Sequence, residues 1–288
     1  MILAGKAPKS SGEEPKRAIL PSMLNGSFKL FRLFGIDVFL HWSWFVIAIF
    51  LIPRFGEGTF TGSGNTPMVW SALLYLTLFA IVLIHEFGHP LACRSVGGQA
   101  RHIVLWPLGG VAFVQPPHRP GAHLWSIVAG PLVNVVLVPV TALAYFFVNG
   151  SFEFPTNASA NLEMFAFYVM VMNFGLLVFN MFPVYPLDGG QTLLALLWFV
   201  IGRVKALKVV STIGLVAAAI VLVLSVIFFR PWYLIMALFV GLQAWNGYRV
   251  AMALSRIDPK HYDERIAKRE AQDEVEQRIS EQIDPWRR

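Results

Sequence analysis

The stretch MVWSALLYLTLFAIVLIHEFGHPLAC, Met68–Cys93, decides what kind of chain this is. Crossing the hydrocarbon of a bilayer as a helix takes about 20 apolar residues, and this run supplies them. Its one polar cluster is His85-Glu86-Phe87-Gly88-His89, an H-E-x-x-H pattern. On a helix, residues four apart share a face, so both imidazoles can bind one Zn²⁺ while Glu86, on the adjoining face, polarises the metal-bound water. Random placement of this chain's histidines and glutamates would produce the pattern roughly 0.006 times, so chance is a weak rival. Burying a carboxylate and two imidazoles among Ile, Val, Leu and Phe costs several kcal/mol unless they are paired. The cluster therefore reads as functional rather than as a polar patch for helix packing.

The rest of the chain agrees with a lipid setting. Hydrophobic residues make up 56% and charged residues 14%, against roughly a quarter charged in soluble chains. Gly35–Ile52, His123–Val148, Leu207–Phe229 and Trp232–Leu254 are further apolar stretches of near-spanning length. Glu163–Ile201 is too long for one straight span and is broken at Pro183-Val184-Tyr185-Pro186. Its second piece, Gln191–Ile201, is about 17 Å long as a helix and cannot cross unaided. The predicted fold is an all-α polytopic membrane protein with six transmembrane helices, the fourth broken, and a small membrane-associated β-hairpin.

The net charge of +6 sits at the ends and in alternate loops. The lead, the Arg94–Arg119 and Arg203–Lys208 loops and the tail are basic, whereas Pro53–Pro67 carries only Arg54 and Asn149–Leu162 carries none. Lys and Arg concentrate on the cytoplasmic side, which predicts both termini inside; Arg230 is the one exception. The basic excess is thus a topology signal and implies the bilayer as partner; no nucleic-acid motif is present. Residues 1–34 lack the apolar core and cleavage site of a signal peptide and read as a flexible basic cytoplasmic lead. Residues 35–255 form the membrane domain, with a catalytic core at about 68–202, and 256–288 a charged, helical cytoplasmic tail.

A catalytic zinc takes three protein ligands and leaves a position for water. The single cysteine, Cys93, excludes a thiolate cage and an internal disulfide, so imidazole and carboxylate must serve. Within the spans the acidic residues are Asp37, Glu86, Glu163 and Asp188; Asp37 and Glu163 lie at span ends and Glu86 belongs to the motif, which leaves Asp188 by elimination. It lies in Pro186-Leu187-Asp188-Gly189-Gly190, where the proline break frees backbone to turn inward, tolerable in a membrane only around protein or a wet cavity. Capping a helix that begins near Gln191 is the competing role for Asp188, compatible with ligation. Gly97–Val114, with β-branched and aromatic runs broken by Gly and Pro, reads as a membrane-edge hairpin, an interfacial loop being the alternative.

These motifs in this order resemble the site-2 protease family of intramembrane zinc metalloproteases. The resemblance runs from Gly35-Ile36-Asp37-Val38-Phe39-Leu40-His41-Trp42-Ser43-Trp44 through H-E-F-G-H, Leu108-Gly109-Gly110-Val111 and Gly130-Pro131-Leu132-Val133-Asn134 to Asn180-Met181-Phe182-Pro183-Val184-Tyr185-Pro186-Leu187-Asp188-Gly189-Gly190. It implies one Zn²⁺ held by His85, His89 and Asp188, with Glu86 as general base. It implies as substrates single-span membrane proteins, cut within or beside their transmembrane segments in regulated intramembrane proteolysis. Asn134 matches a family asparagine associated with substrate or the transition-state oxyanion; helix-to-helix hydrogen bonding is the equally physical alternative. The compact chain suits a prokaryotic plasma membrane. A non-hydrolytic metal-binding or transport protein could use the same His/His/Asp site, but would not require Glu86 between the ligands. His41 reads as an anchor of the first span, His102, His118 and His123 as loop or headgroup contacts, and Asn173, Asn180 and Asn246 as interhelical amides.

Overall fold

A computed structural model describes residues 26–256 apart from 57–58, 63, 65, 107–108 and 157–159. The elements in chain order are β1 (Ser27–Leu33), β2 (Ile36–His41), α1 (Ser43–Gly56), α2 (Thr66–Ser95), β3 (Gln99–Trp106), β4 (Gly109–Gln115), α3 (Pro120–Asn149), α4 (Asn161–Asn180), α5 (Asp188–Ile201), α6 (Arg203–Ile227) and α7 (Pro231–Leu254). The predicted tail lies almost wholly outside the described residues, as does the lead up to residue 25.

The expected hairpin is present as β3–β4, and it belongs to a four-stranded sheet of order β1-β2-β3-β4. The two strands that begin this sheet were not expected. Ser27–Leu33 falls in the predicted flexible lead, and Ile36–His41 in the predicted first span. A two-residue turn joins them: Leu33 pairs with Ile36, and Phe34 and Gly35 both take positive φ, 51° and 70°, the geometry that suits the twist of a hairpin. The strand alternation is real but easily masked. Ile36, Val38 and Leu40 point into the core while Asp37 is paired outside by Lys29 at 2.6 Å. β2 and β3 run parallel, Asp37 opposite His102 and Leu40 opposite Leu105, a pairing that needs a long crossover. The antiparallel pair α1–α2 provides it. The buried sheet face, Ile36, Val38, Leu40, Ile103 and Leu105, packs on Trp44 of α1 and on Tyr75, Val82 and Phe87 of α2. That packing fixes the sheet against the helix bearing H-E-x-x-H.

Among the described residues α2, α3, α4 and α6 are long and apolar enough to cross a membrane. The sequence reading of six is therefore supported for four. The first stretch spends its opening residues on β2, leaving α1 with 14 residues, about 21 Å of helix. The broken span resolves into α4, long enough by itself, a turn, and the 14-residue α5. The last helix, α7, has 24 residues but carries Gln243, Asn246 and Arg249 in its second half. α6 and α7 lie side by side, and α5 packs on both through Leu194, Leu207, Val210 and Ala251. α2 and α3 approach closely: a Cβ on Gly88 would stand 2.5 Å from the Ala129 carbonyl oxygen.

Candidate metal centre

α2 presents His85 and His89 one turn apart, their rings 5.1 Å between centroids and inclined at 82°. Both Nε2 atoms converge on one oxygen of Asp188, Oδ2, at 3.1 Å from His85 and 3.5 Å from His89. Asp188 reaches them because the chain reverses between α4 and α5. The Leu187 amide donates to the Val184 carbonyl at 2.9 Å, and the Gln191 side chain donates to the Pro186 carbonyl at 3.0 Å. Asp188 is the first residue of α5 and its side chain makes no cap hydrogen bond; Leu187 holds the cap position. The turn thus aims the carboxylate away from its own helix and at α2.

Each imidazole is oriented by its other nitrogen. His89 Nδ1 donates to the Ser126 carbonyl at 2.9 Å, and His85 Nδ1 lies 2.5 Å from Asn134 Oδ1. Donation from Nδ1 leaves the Nε2 lone pair free, the arrangement of metal-ligating histidines. The two Nε2 atoms and Asp188 Oδ2 form a group whose ligand atoms all lie within 4.8 Å of one another. Donors sharing one zinc at bonds of about 2 Å stand roughly 3.3 Å apart in a tetrahedral site, which matches the observed 3.1 and 3.5 Å. Asp188 Oδ2 is buried and makes no well-formed hydrogen bond despite two nitrogens beside it. That is the geometry of ligands around an ion rather than of donors to an acceptor. Gly130 completes the cradle, because a Cβ there would fall on the His89 ring and 3.0 Å from His85 Nε2. The residues fit a zinc ion.

Glu86 is buried on the adjoining face of α2, where its Oε1 accepts the Gly110 amide of β4 at 3.2 Å. Gly110 has no alternative side chain, since a Cβ at that position would overlap the Glu86 carboxyl. Asn134, fully buried, holds partners on two helices: its Oδ1 faces His85, and its Nδ2 donates to Asn173 Oδ1 of α4 at 2.8 Å. The histidines read as bystanders stay away from this group. His41 stacks on Trp106 at 4.2 Å, and His118 and His123 pack against Trp198. Burial on β3 holds the His102 pKa below its usual value. Of the three asparagines assigned to interhelical pairing, Asn173 pairs; among the described residues Asn180 and Asn246 show no side-chain hydrogen bond. The contributions of Asn173, Gly110 and Gly130 escaped the sequence reading, although Gly110 and Gly130 both stand inside the quoted motifs.

Residues 73–224, just over half the chain, match the model of peptidase family M50. The chain belongs to peptidase family M50. Zinc metalloprotease MJ0392 of Methanocaldococcus jannaschii is 30% identical over 79% of this chain and 62% of its own length. Stage IV sporulation protein FB of Bacillus subtilis is 34% identical over 42% of this chain and 39% of its own. The chain thus spans less than two thirds of the length of these relatives. A solved structure, the site-2 protease from Methanocaldococcus jannaschii, superposes with a TM-score of 0.54 and 27% identity, covering 77% of this chain and 95% of that one. With its four apolar helices, this M50 member is a multi-pass integral membrane protein, and the His85/His89/Asp188 group of an M50 peptidase is a zinc site.

Proposed function

We propose that this protein is an intramembrane zinc metalloendopeptidase that cuts single-span membrane proteins within or next to their transmembrane segments, in regulated intramembrane proteolysis. The observation that carries the reading is the convergence of His85, His89 and Asp188 with Glu86 one residue from the first ligand, all enclosed by apolar helices. When bound, zinc supplies Lewis acidity to water and to the scissile carbonyl. His85, His89 and Asp188 hold the ion, the two imidazoles presenting Nε2 because Nδ1 is committed elsewhere. Glu86 takes a proton from the attacking water and returns it to the leaving amine nitrogen as the C–N bond breaks. Its carboxylate is steadied against the edge strand by the Gly110 amide.

A substrate helix hides its carbonyls in its own hydrogen bonds and must be unwound locally before attack. β4 is an edge of the sheet, and the extended segment adds to it as a further strand. Because Gly110 of that strand donates to Glu86, a peptide on β4 lies alongside the base. The fold is proposed to cross the membrane six times, through α1, α2, α3, α4 with α5, α6 and α7, with both termini in the cytoplasm of a prokaryote. The alternation of loops rich and poor in Lys and Arg supports that orientation. The deciding experiment is reconstitution in liposomes with single-span reporter proteins, with and without a chelator. Metal-dependent cleavage in or beside the reporter's span is the expected outcome. Stoichiometric zinc with no cleavage of any reporter would favour the non-hydrolytic alternative.

A further inference from the structure

We propose that Asn173 of α4 is a positioning residue for the metal site, acting through Asn134 to hold the His85 proton on Nδ1 and so keep the Nε2 lone pair free for the ion. The inference rests on the reading of His85 as a zinc ligand.

The argument follows a chain of hydrogen-bond polarity. An amide side chain can flip, exchanging its oxygen and nitrogen, and an imidazole can carry its proton on either nitrogen. If the Asn134 amide were flipped, its NH₂ would face His85 Nδ1. That nitrogen would then have to accept, the proton would sit on Nε2, and the lone pair aimed at Asp188 and the ion would be lost. Something must exclude this state. His89 needs no such device, because its Nδ1 faces the Ser126 main-chain carbonyl at 2.9 Å, which only accepts. His85 faces a side chain instead.

Asn173 supplies the missing fixed point. Its Nδ2 donates to the Asn134 main-chain carbonyl at 3.4 Å, and its Oδ1 accepts the Asn134 Nδ2 at 2.8 Å. A main-chain carbonyl cannot reverse its role, so Asn173 is held with its oxygen toward the Asn134 side chain. Asn134 is in turn held with its oxygen toward His85, where Nδ1 donates across 2.5 Å. Both asparagines are 0% exposed, so no water from outside can substitute for a partner. Each zinc-binding imidazole is thus polarised by a backbone carbonyl, one directly and the other through two amides. The relay also links α2, α3 and α4, so that an element carrying no ligand of its own governs one.

The test uses the full chain purified in detergent and reads zinc affinity by competition with a chromogenic chelator, alongside the electronic spectrum of the Co²⁺-substituted protein. Asn173→Leu, of similar size but without the acceptor, is expected to weaken zinc binding roughly 10- to 100-fold and to shift the Co²⁺ bands, with the thermal melting of the apoprotein little changed. Asn173→Asp keeps an oxygen toward Asn134 and, as the neutral acid, a donor toward its carbonyl; it is expected to recover most of the affinity. Asn134→Leu combined with Asn173→Leu should bind no more weakly than Asn134→Leu alone, since the second residue acts through the first. If Asn173→Leu does not fold, Asn173→Ser, too short to reach Asn134, takes its place in the same cycle. Unchanged zinc affinity in the folded variant, no recovery with aspartate, or additive effects in the double variant would each overturn the proposal. His85→Ala is the separate control: if it retained full zinc affinity, the ligand reading itself would fail.

Discussion

Glu86 sits one residue from His85 and accepts the Gly110 amide of β4 without belonging to the ligand group, so its role can be tested apart from metal binding. Glu86→Gln preserves shape and the acceptor for the Gly110 amide but cannot take a proton. It should retain a full equivalent of zinc by metal analysis while reporter cleavage falls by about three orders of magnitude, within the range general acid–base catalysis contributes. Cleavage at the normal rate would remove Glu86 from the chemistry. Gly130→Ala is expected to fail in the opposite way. Its Cβ would fall on the His89 ring, so the purified variant should lose zinc first and activity as a consequence, a loss visible in the metal content before any assay of cleavage.

Two elements outside the ligand set carry their own consequences. β4 bears the amide that steadies Glu86 and forms a free edge of the sheet, so Ala112→Pro, which removes a strand donor and fixes φ, should disrupt it. Cleavage is expected to drop at least tenfold with zinc content unaltered; equal cleavage by both proteins would exclude strand addition at this edge. The turn between α4 and α5 is seated from the far side, where Tyr185 fills space opposite Gly214 of α6 and Gly247 of α7. At Gly247 a Cβ would stand 3.0 Å from the Tyr185 ring, so Gly247→Leu should push the turn and with it Asp188. The measurable outcome is a faster loss of zinc to a chelator, although no ligand has been changed. The β1–β2 hairpin has a weaker, pH-dependent tie. A hydrogen bond from Lys29 holds the Asp37 carboxyl below its usual pKa, so this contribution is present above an ordinary aspartate pKa of about 3.9 and fades as pH falls through the lowered value.

Considered as a whole, the molecule is a helical membrane body with a sheet packed on the helix that bears H-E-x-x-H. Its proposed orientation rests on charge: Arg94 and Arg119 flank the β3–β4 hairpin, while the segment between α3 and α4 has no Lys or Arg. With buried Cys93 replaced by Ser, single cysteines at Arg119 and at Ser151 should label from opposite sides of sealed vesicles, Arg119→Cys from the cytoplasmic face. Labelling of both from one side would overturn the proposed topology.

H-E-x-x-H was legible in the sequence because its spacing is local: a helix of any packing puts His85 and His89 on one face. Asp188 could be reached by elimination, since ionisable groups in an apolar chain are few and costly. The hairpin at 99–115 also announced itself, through turn residues between β-branched runs. Strand β2 did not, because an apolar strand paired inside a sheet and the start of an apolar helix have the same composition, and only its long-range pairing with β3, Asp37 opposite His102, separates them; β1 lies in a basic segment and becomes a strand only by pairing with β2. For the same reason α1 is shorter than the first apolar stretch, and four of the six helices read as spans are long and apolar enough to cross a membrane among the described residues. Which atoms meet was decided by tertiary structure alone: Asp188 Oδ2 against both Nε2 atoms, Gly110 against Glu86, and Asn173 behind Asn134. Those contacts join residues dozens of positions apart, and their directions are set by backbone carbonyls and close helix approach, which no local pattern of side chains encodes.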